Sequence, residues 1–470
     1  MANVSGVSRL IGVVVAAVAL AWAAPAQAFT RQDLRLPMSD GVELAATLYL
    51  PDGKQPSGGW PAIMAFHGLG QTRVELNAIA ESYFVPQGYA VLTVDLRGHG
   101  ESGGLNDLDG PREVQDVREL YGWLAGRGDV DPARIGALGE SLGGGLVWRA
   151  AAEGVPFAAI VPAVTWTDLY GALFPGNLSK SGAVLAVLND IPSDHFSPVV
   201  ASLRDDLLRS ASLDRIRELT AARSVAPLLG RVRAPTFVIQ GRRDAEFDLG
   251  QAREAWGRLR VPKRLYIGDV GHPPATNPPA ELPRVYALVR DWFDRWLKGI
   301  PNGVDTGRRV ELAPDPWTGR TFRYAGFPPT RELKLAFAGR RAIGPGGSVV
   351  RTFRLPRRRL ETFGAPLVRV PVSSTSGWPR LVASLSATTG SRSVVVADGG
   401  LQTAIRGRRS VTLHLTDEAT PIPPGSTLHL RLGTSTPDGL YLNFPLPQGL
   451  KITIGRVRLT LPVLRRPISQ

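Results

Sequence analysis

The sequence predicts an α/β fold, a mostly parallel sheet covered by helices on both faces, followed by an all-β sandwich. Three observations predict it. Short apolar runs alternate with helical patterns between Asp33 and Trp296, a strongly one-sided helix closes that region, and beyond residue 300 the texture changes to short alternating runs cut by Gly and Pro. With 470 residues, 43% of them hydrophobic and 20% charged, the chain has material for two cores, and this balance excludes a disordered or fibrous polymer.

Residues 1–28 read as a secretory signal. Arg9 precedes the apolar run LIGVVVAAVALAWAAPAQA, which ends in the small-residue site Ala26-Gln27-Ala28, so cleavage is predicted after Ala28 and a secreted, periplasmic or cell-envelope location follows. The run is shorter than a membrane-spanning helix needs and Pro25 interrupts it, so no stable membrane anchor is expected after cleavage. The chain has no cysteine, which excludes disulfides and thiolate metal sites.

Residues 29–300 form the first predicted domain. An antiparallel pair, DLRLPM and VELAATLYL, flanks the turn Ser39-Asp40-Gly41, and the strands AIMAFHG, AVLTVDLRG, RIGALGE, FAAIVPAV, APTFVIQG and KRLYIGDVG follow. Between about 167 and 232 the alternation stops and helical stretches take over; an insertion after FAAIVPAV projects beyond the carboxyl ends of the strands, so a helical cap over a site is expected there. The closing helix carries Val285, Leu288, Val289, Trp292, Phe293 and Trp296 on one face, and Gly299 and Pro301 end it, which places the domain boundary near 300.

Residues 301–470 read as the β-sandwich, with SVTLHL, STLHLRL and LKITIGRVRLTL as strands. In the last run the apolar phase slips between Ile454 and Val457, which predicts a bulge at Gly455 and Arg456. The net charge of +14 belongs to this tail, which holds 25 Lys and Arg against 9 Asp and Glu. Apart from Arg357-Arg358-Arg359 its basic residues are scattered along strands, so the expectation is a solvated basic surface and no nucleic-acid partner.

The chemistry centres on Gly139-Glu140-Ser141-Leu142-Gly143, a G-x-S-x-G pentapeptide between the strand RIGALG and the helix LGGGLVWRAAAEG. A serine on such a tight strand-to-helix turn is thrust out of the sheet edge, and small neighbours keep the backbone from colliding. Gly100-Glu101-Ser102-Gly103-Gly104 also fits the pattern, but no helix starts directly behind it to supply an aligned amide, so Ser141 is favoured as the nucleophile. A serine hydroxyl needs a base. Of six histidines, His414 and His429 sit within tail strands, His195 in the cap, and His67 and His99 in loops where structural hydrogen bonds are usual; His272 stands after KRLYIGDVG and before the closing helix. The orienting acid should follow the preceding strand, where Asp244 fits best, with Glu246, Asp248 and Asp269 as alternatives. Two amides should meet the developing oxyanion, Leu142 after the nucleophile and Leu69 in His67-Gly68-Leu69-Gly70. Trp166 and Tyr170 are candidates for an acyl pocket, with packing as the competing role.

On these residues the first domain resembles the α/β-hydrolase domain of the X-Pro dipeptidyl-peptidase and cocaine-esterase-like hydrolases. The strand order matches the eight-strand α/β-hydrolase plan, the chain order Ser141, Asp244, His272 is that of the fold, and His67-Gly68-Leu69-Gly70 resembles its HG-x-G loop. The tail, led in by DWFDRWLKGIPNGVD, resembles the jelly-roll C-terminal domain of the same group, with TPIPPGSTLHLRLGTSTPD like one of its strand pairs. The resemblance implies acyl transfer on a small ester or peptide substrate, without cofactor or metal. Members often use a tyrosine hydroxyl as second oxyanion donor, whereas HGLGQT has none, which leaves the Leu69 amide. No carboxylate pair is evident in cap segments such as VTWTDLYGALF, so esterase activity is expected ahead of Xaa-Pro dipeptidyl-peptidase activity. The alternative class is an exported, non-catalytic envelope-binding protein that acts through the basic β domain. Nothing in the sequence specifies an oligomeric state.

Overall fold

A computed structural model describes residues 29–469; the signal segment expected at 1–28 lies outside them. The eight expected strands are present as β1 (Phe29–Pro37), β2 (Glu43–Pro51), β3 (Trp60–Phe66), β4 (Ala90–Val94), β5 (Val130–Glu140), β6 (Ala159–Ala163), β7 (Thr236–Gly241) and β8 (Lys263–Gly268). They form one sheet in the order β1-β2-β4-β3-β5-β6-β7-β8, parallel from β4 onward and antiparallel at the β1, β2 end. A parallel sheet must be buried on both faces, and the pleat divides its apolar side chains accordingly. Ala62, Met64 and Phe66 of β3 join the core with α2 (Pro111–Ala125) and α3 (Leu142–Ala152), whereas Ile63 joins the opposite core.

Ahead of α2 lies α1 (Arg73–Ile79), capped by Thr72 and Glu75 in a reciprocal capping box. The interval between β6 and β7 holds α4 (Leu169–Leu173), α5 (Ser181–Val187), α6 (Pro198–Ala201), α7 (Arg204–Arg209) and α8 (Leu213–Ala221) with no strand among them, as the helical patterns indicated. α9 (Leu249–Arg258) and α10 (Leu282–Leu297) complete the domain. On α10, Val285, Leu288, Val289, Trp292, Phe293 and Leu297 are buried, and the expected Trp296 is only half-buried at the edge of that stripe.

The first sheet does not end at residue 300. After α10 the chain returns to add β9 (Val310–Leu312), parallel to β8, and β10 (Phe322–Tyr324), antiparallel to β9. Three-residue strands carry too little periodicity to be read from sequence, and pairing with β8 decides them.

The second module is antiparallel throughout. Its strands are β11 (Thr330–Phe337), β12 (Arg341–Ile343), β13 (Val349–Arg354), β14 (Leu360–Glu361), β15 (Leu367–Thr389), β16 (Arg392–His414), β17 (Pro421–Ile422), β18 (Thr427–Gly433), β19 (Ile452–Ile454) and β20 (Val457–Leu464). β15 and β16 form a hairpin of two 23-residue strands whose register shifts between Ser374 and Arg380, where Trp378 is fully buried. β15 pairs with β20 before that irregularity and with β18 after it, so one bent strand serves both halves of the sandwich. β19 and β20 break at Gly455 and Arg456, where the phase slip was read. Among the described residues no helix is long and apolar enough to cross a membrane.

Trp292 is fully buried between α10 and the sheet, its ring 6.0 Å from that of Phe237. Trp292→Ala should lower stability by about 3–5 kcal/mol, seen as a lower urea midpoint at unchanged slope.

Candidate active site

β5 runs into Ser141, whose φ of 51° and ψ of −116° lie outside the ordinary regions, and α3 begins at the next residue. The surroundings hold this conformation. Ser141 donates its amide to Ala163 O (2.9 Å), and its carbonyl accepts from Gly145 N (3.0 Å) and Thr165 Oγ1 (2.7 Å). A Cβ at Gly139 would collide with the carbonyl of Gly143, and one at Gly143 with the carbonyl of Phe66, so the glycines of the pentapeptide answer to backbone proximity.

The loop after β8 is tied by Gly271 N to Asn277 Oδ1 (2.8 Å) and by Asn277 Nδ2 to Gly271 O (2.9 Å), and it presents His272 to the serine. Ser141 Oγ lies 2.9 Å from His272 Nε2, and His272 Nδ1 lies 2.8 Å from Asp244 Oδ2. Asp244 is fully buried. Its Oδ2 also accepts the His272 amide (3.1 Å), and its Oδ1 accepts the amides of Glu246 (3.1 Å) and Phe247 (2.9 Å). The structure therefore brings Ser141, His272 and Asp244 together in one hydrogen-bonded line.

The alternatives are occupied elsewhere. Ser102 Oγ donates to Asp95 O (2.6 Å) and accepts from Ala45 N (2.8 Å), which fixes the turn after β4. Asp248 caps α9 through Gly250 N, and Asp269 pairs with Arg243 and accepts from Thr276. His67 is buried, accepts the Leu96 amide at Nε2 and donates from Nδ1 to Gly68 O, and burial holds its pKa below the ordinary value.

The Gly68 Cα faces the Ser141 side chain, so the loop after β3 abuts the serine. The Gly68 amide is bound by Gln71 Oε1 (3.0 Å), whereas the Leu69 and Leu142 amides donate to no protein group among the described residues. Trp166 and Tyr170 are both packed against other aromatic rings. Trp166 is buried, donates to Arg223 O (2.8 Å) and lies against Phe247, which in turn stands edge-on to the His272 ring at 5.1 Å. Tyr170 stacks on Phe174 within the cap and bonds Asn177.

Carboxylates surround the imidazole. Glu246 Oε2 is 3.8 Å from His272 Nε2, Glu140 of the pentapeptide also acts on the ring, and Asp190, on the segment between α5 and α6, interacts with both Glu246 and His272. Burial opposes a charge on His272, but Asp244, then Glu246 and Glu140, outweigh it and hold the imidazole pKa above its ordinary value. For Glu246 and Glu140 burial dominates and raises the carboxyl pKa; Asp190 is pushed up to about 7 by the protein packed around it and then by Glu246. No carboxylate pair was expected from the cap, and it brings one acid, Asp190, to the site; Glu246 and Glu140 come from the sheet domain. Asp190 enters through a loop between helices, where no periodicity marks it, although Glu246 stood two residues from Asp244 in plain view.

The segment 242–249 is held by the cap and by the β-module. Lys180 of the cap, buried, donates to the carbonyls of Ala245 (2.8 Å) and Glu246 (3.2 Å). The β-module supplies Ala419 N to Arg242 O (2.7 Å) and Asp417 N to Asp248 Oδ2 (3.0 Å). Arg242 itself is fully buried against Glu361, also fully buried, at 2.5 Å, and Glu361 further accepts the amides of Ile468 (2.7 Å) and Ser469 (3.0 Å).

An α/β-hydrolase-fold hydrolase with an appended β-sandwich is the class these features define. Residues 40–274, half of the chain, match the family described as X-Pro dipeptidyl-peptidase (S15 family), and the chain belongs to that family. A Xaa-Pro dipeptidyl-peptidase-like sequence of Streptomyces avermitilis is 27% identical over 275 residues, covering 53% of this chain and 40% of that one. The cocaine esterase of a Rhodococcus species is 26% identical over 449 residues, covering 86% of this chain and 71% of the esterase. The chain thus spans less than half the length of the dipeptidyl-peptidase relatives it matches. In fold it is similar to a CocE/NonD family hydrolase from Staphylococcus aureus, with a TM-score of 0.70 at 15% identity, covering 93% of this chain and 94% of that one. An α-amino acid ester hydrolase structure gives 0.68 at 14% identity, covering 95% and 98%.

Glu361→Gln keeps the shape of the pair but leaves the Arg242 guanidinium buried without a counter-charge. It should cost about 3 kcal/mol or more in a denaturant titration, because an uncompensated buried charge is far more costly than a lost surface pair.

Proposed function

We propose that the chain hydrolyses carboxylic esters or amides through an acyl-enzyme on Ser141. The observation that carries this reading is the line Ser141 Oγ, His272 Nε2, His272 Nδ1, Asp244 Oδ2, with contacts of 2.9 and 2.8 Å. As Ser141 Oγ attacks the substrate carbonyl, its proton passes to His272 Nε2, and Asp244 holds the ring and stabilises the imidazolium. The carbonyl oxygen becomes an oxyanion and is met by the Leu142 and Leu69 amides. Collapse of the tetrahedral species expels the alcohol or amine, which takes the proton from His272. Water then attacks the acyl-enzyme with His272 as base, releasing the acid and restoring Ser141.

A second reading concerns the acyl group. Glu246, Glu140 and Asp190 give the pocket an acidic wall beside the base, which favours substrates carrying an ammonium group near the scissile bond, whose charge draws those carboxyls to their ionised form, over neutral acyl esters. Amino esters and N-terminal peptide bonds both meet that description.

A fluorophosphonate probe should label the purified protein; Ser141→Ala should abolish labelling and Ser102→Ala should leave it intact. Labelling that survives Ser141→Ala would end the assignment. In Glu246→Gln, loss of a negative charge beside the imidazole makes the imidazolium less stable and lowers the His272 pKa, so the base is free at lower pH. The acid limb of the kcat/KM profile should move down by roughly one pH unit. On the amine-bearing reading KM should rise for an aminoacyl ester and stay level for its deaminated analogue.

A further inference from the structure

A cleft of about 420 Å³ opens beside α10, between the loop that follows the helix and the β9, β10 edge. It is separate from the site above. Arg264 stands at the start of β8 and Arg308 just before β9, whereas Ser141, Asp244 and His272 follow the ends of their strands.

Four arginines line it: Arg264, Arg284, Arg308 and Arg323. Three of them converge on one carboxylate. Glu311, fully buried, is met by Arg264, by Arg284 (2.6 Å) and by Arg323 (3.2 Å), and it also accepts from Thr321 Oγ1 (2.7 Å). The other acid on the lining, Asp291, is already engaged by Arg290 at 3.0 Å. One carboxylate balances one guanidinium, so positive charge is left over around Glu311, and Arg308 adds to it.

The buried wall carries an open donor. Arg264 is only 3% exposed; it spends Nη1 on Val304 O (3.0 Å) and Nη2 on Glu311, and its Nε donates to no group among the described residues. A buried N–H without an acceptor costs free energy, so the Glu311 cluster is not fully compensated within the protein. Burial, and then the like charges of Arg323 and Arg284, hold the Arg264 pKa below its ordinary value.

We propose that this cleft binds the phosphoryl group of a phosphate monoester. A dianion matches the charge surplus better than a carboxylate, the guanidinium forks suit its tetrahedral oxygens, and the volume leaves room for the group that bears the phosphate. Asn302 and Thr306 on the same lining brace the loop through Asp291 O (2.6 Å) and Gly303 O (3.0 Å) and keep that side of the cleft polar.

The test is calorimetric titration of the full chain with inorganic phosphate and with glycerol 3-phosphate in chloride buffer, beside flotation with phosphatidic acid vesicles. One saturable site is expected for the soluble probes. Arg308→Ala with Arg323→Ala should weaken it by about tenfold per arginine, since each removes one or more charge-assisted hydrogen bonds. Arg340→Ala with Arg341→Ala, an equal loss of charge at exposed positions of the β-module, should leave it unchanged. Vesicle binding without soluble binding, lost in the first double variant, assigns the phosphoryl group to a lipid headgroup. The proposal falls if no probe binds saturably, if the Arg308, Arg323 variant binds like the parent, or if the control variant loses as much.

Discussion

The placement of the acid in the hydrogen-bonded line depends on a charge pair that never meets water. Arg242 and Glu361 are both fully buried, one at the end of β7 and the other in the β-module. A buried pair of this kind is tolerated when every remaining donor and acceptor is used, and that condition holds closely here: Arg242 also donates to the carbonyls of Ala419 and Ala313, and Glu361 also takes two amides and the Ser469 hydroxyl. Asp244 lies two residues beyond Arg242. The path of the segment that carries the acid is thus set jointly by two modules, and the second module is part of the site's foundation although it lends no side chain to the line itself.

Electrostatics at His272 follow from that placement. The imidazole is crowded by carboxylates on three separate segments, and its tendency to charge is the balance between burial and those neighbours. Phe247, edge-on to the ring, and Trp166 behind it supply an apolar backing, so the ring is held by contact on one side and by hydrogen bonds at both nitrogens.

What could be read from the sequence was what is local. The turn at Ser141 is encoded within five residues by glycines whose absent side chains leave room for neighbouring backbone, and α10 by a stripe at helical spacing. His272 and Asp244 were legible one step further out, because chain order and strand positions confine them. Asp190 was not, since a loop between two cap helices has no pattern and only folding carries it to Glu246. The same holds for β9 and β10, too short to show a period, and for Glu361, an ordinary acidic residue in the sequence whose partner lies 119 positions away. Trp166 and Tyr170, four apart in sequence, do not pack on each other: Trp166 precedes α4 and lies against Phe247, and Tyr170 stacks on Phe174.

The long hairpin of β15 and β16 reaches well beyond its own sandwich. Gly400 lies so close to Gly176 in the cap that no side chain would fit at the latter, Gln402 donates to Ser210 O, and farther along the module Leu440 O and the Leu442 amide bind Gly182 and Ser181 at the start of α5. The roof over the reaction centre is therefore bolted to a neighbour rather than hinged on its own stalks. The fastening joins residues 192 to 261 positions apart, so divergence in the carboxyl-terminal third of such a chain acts on the cap as directly as divergence within the cap itself.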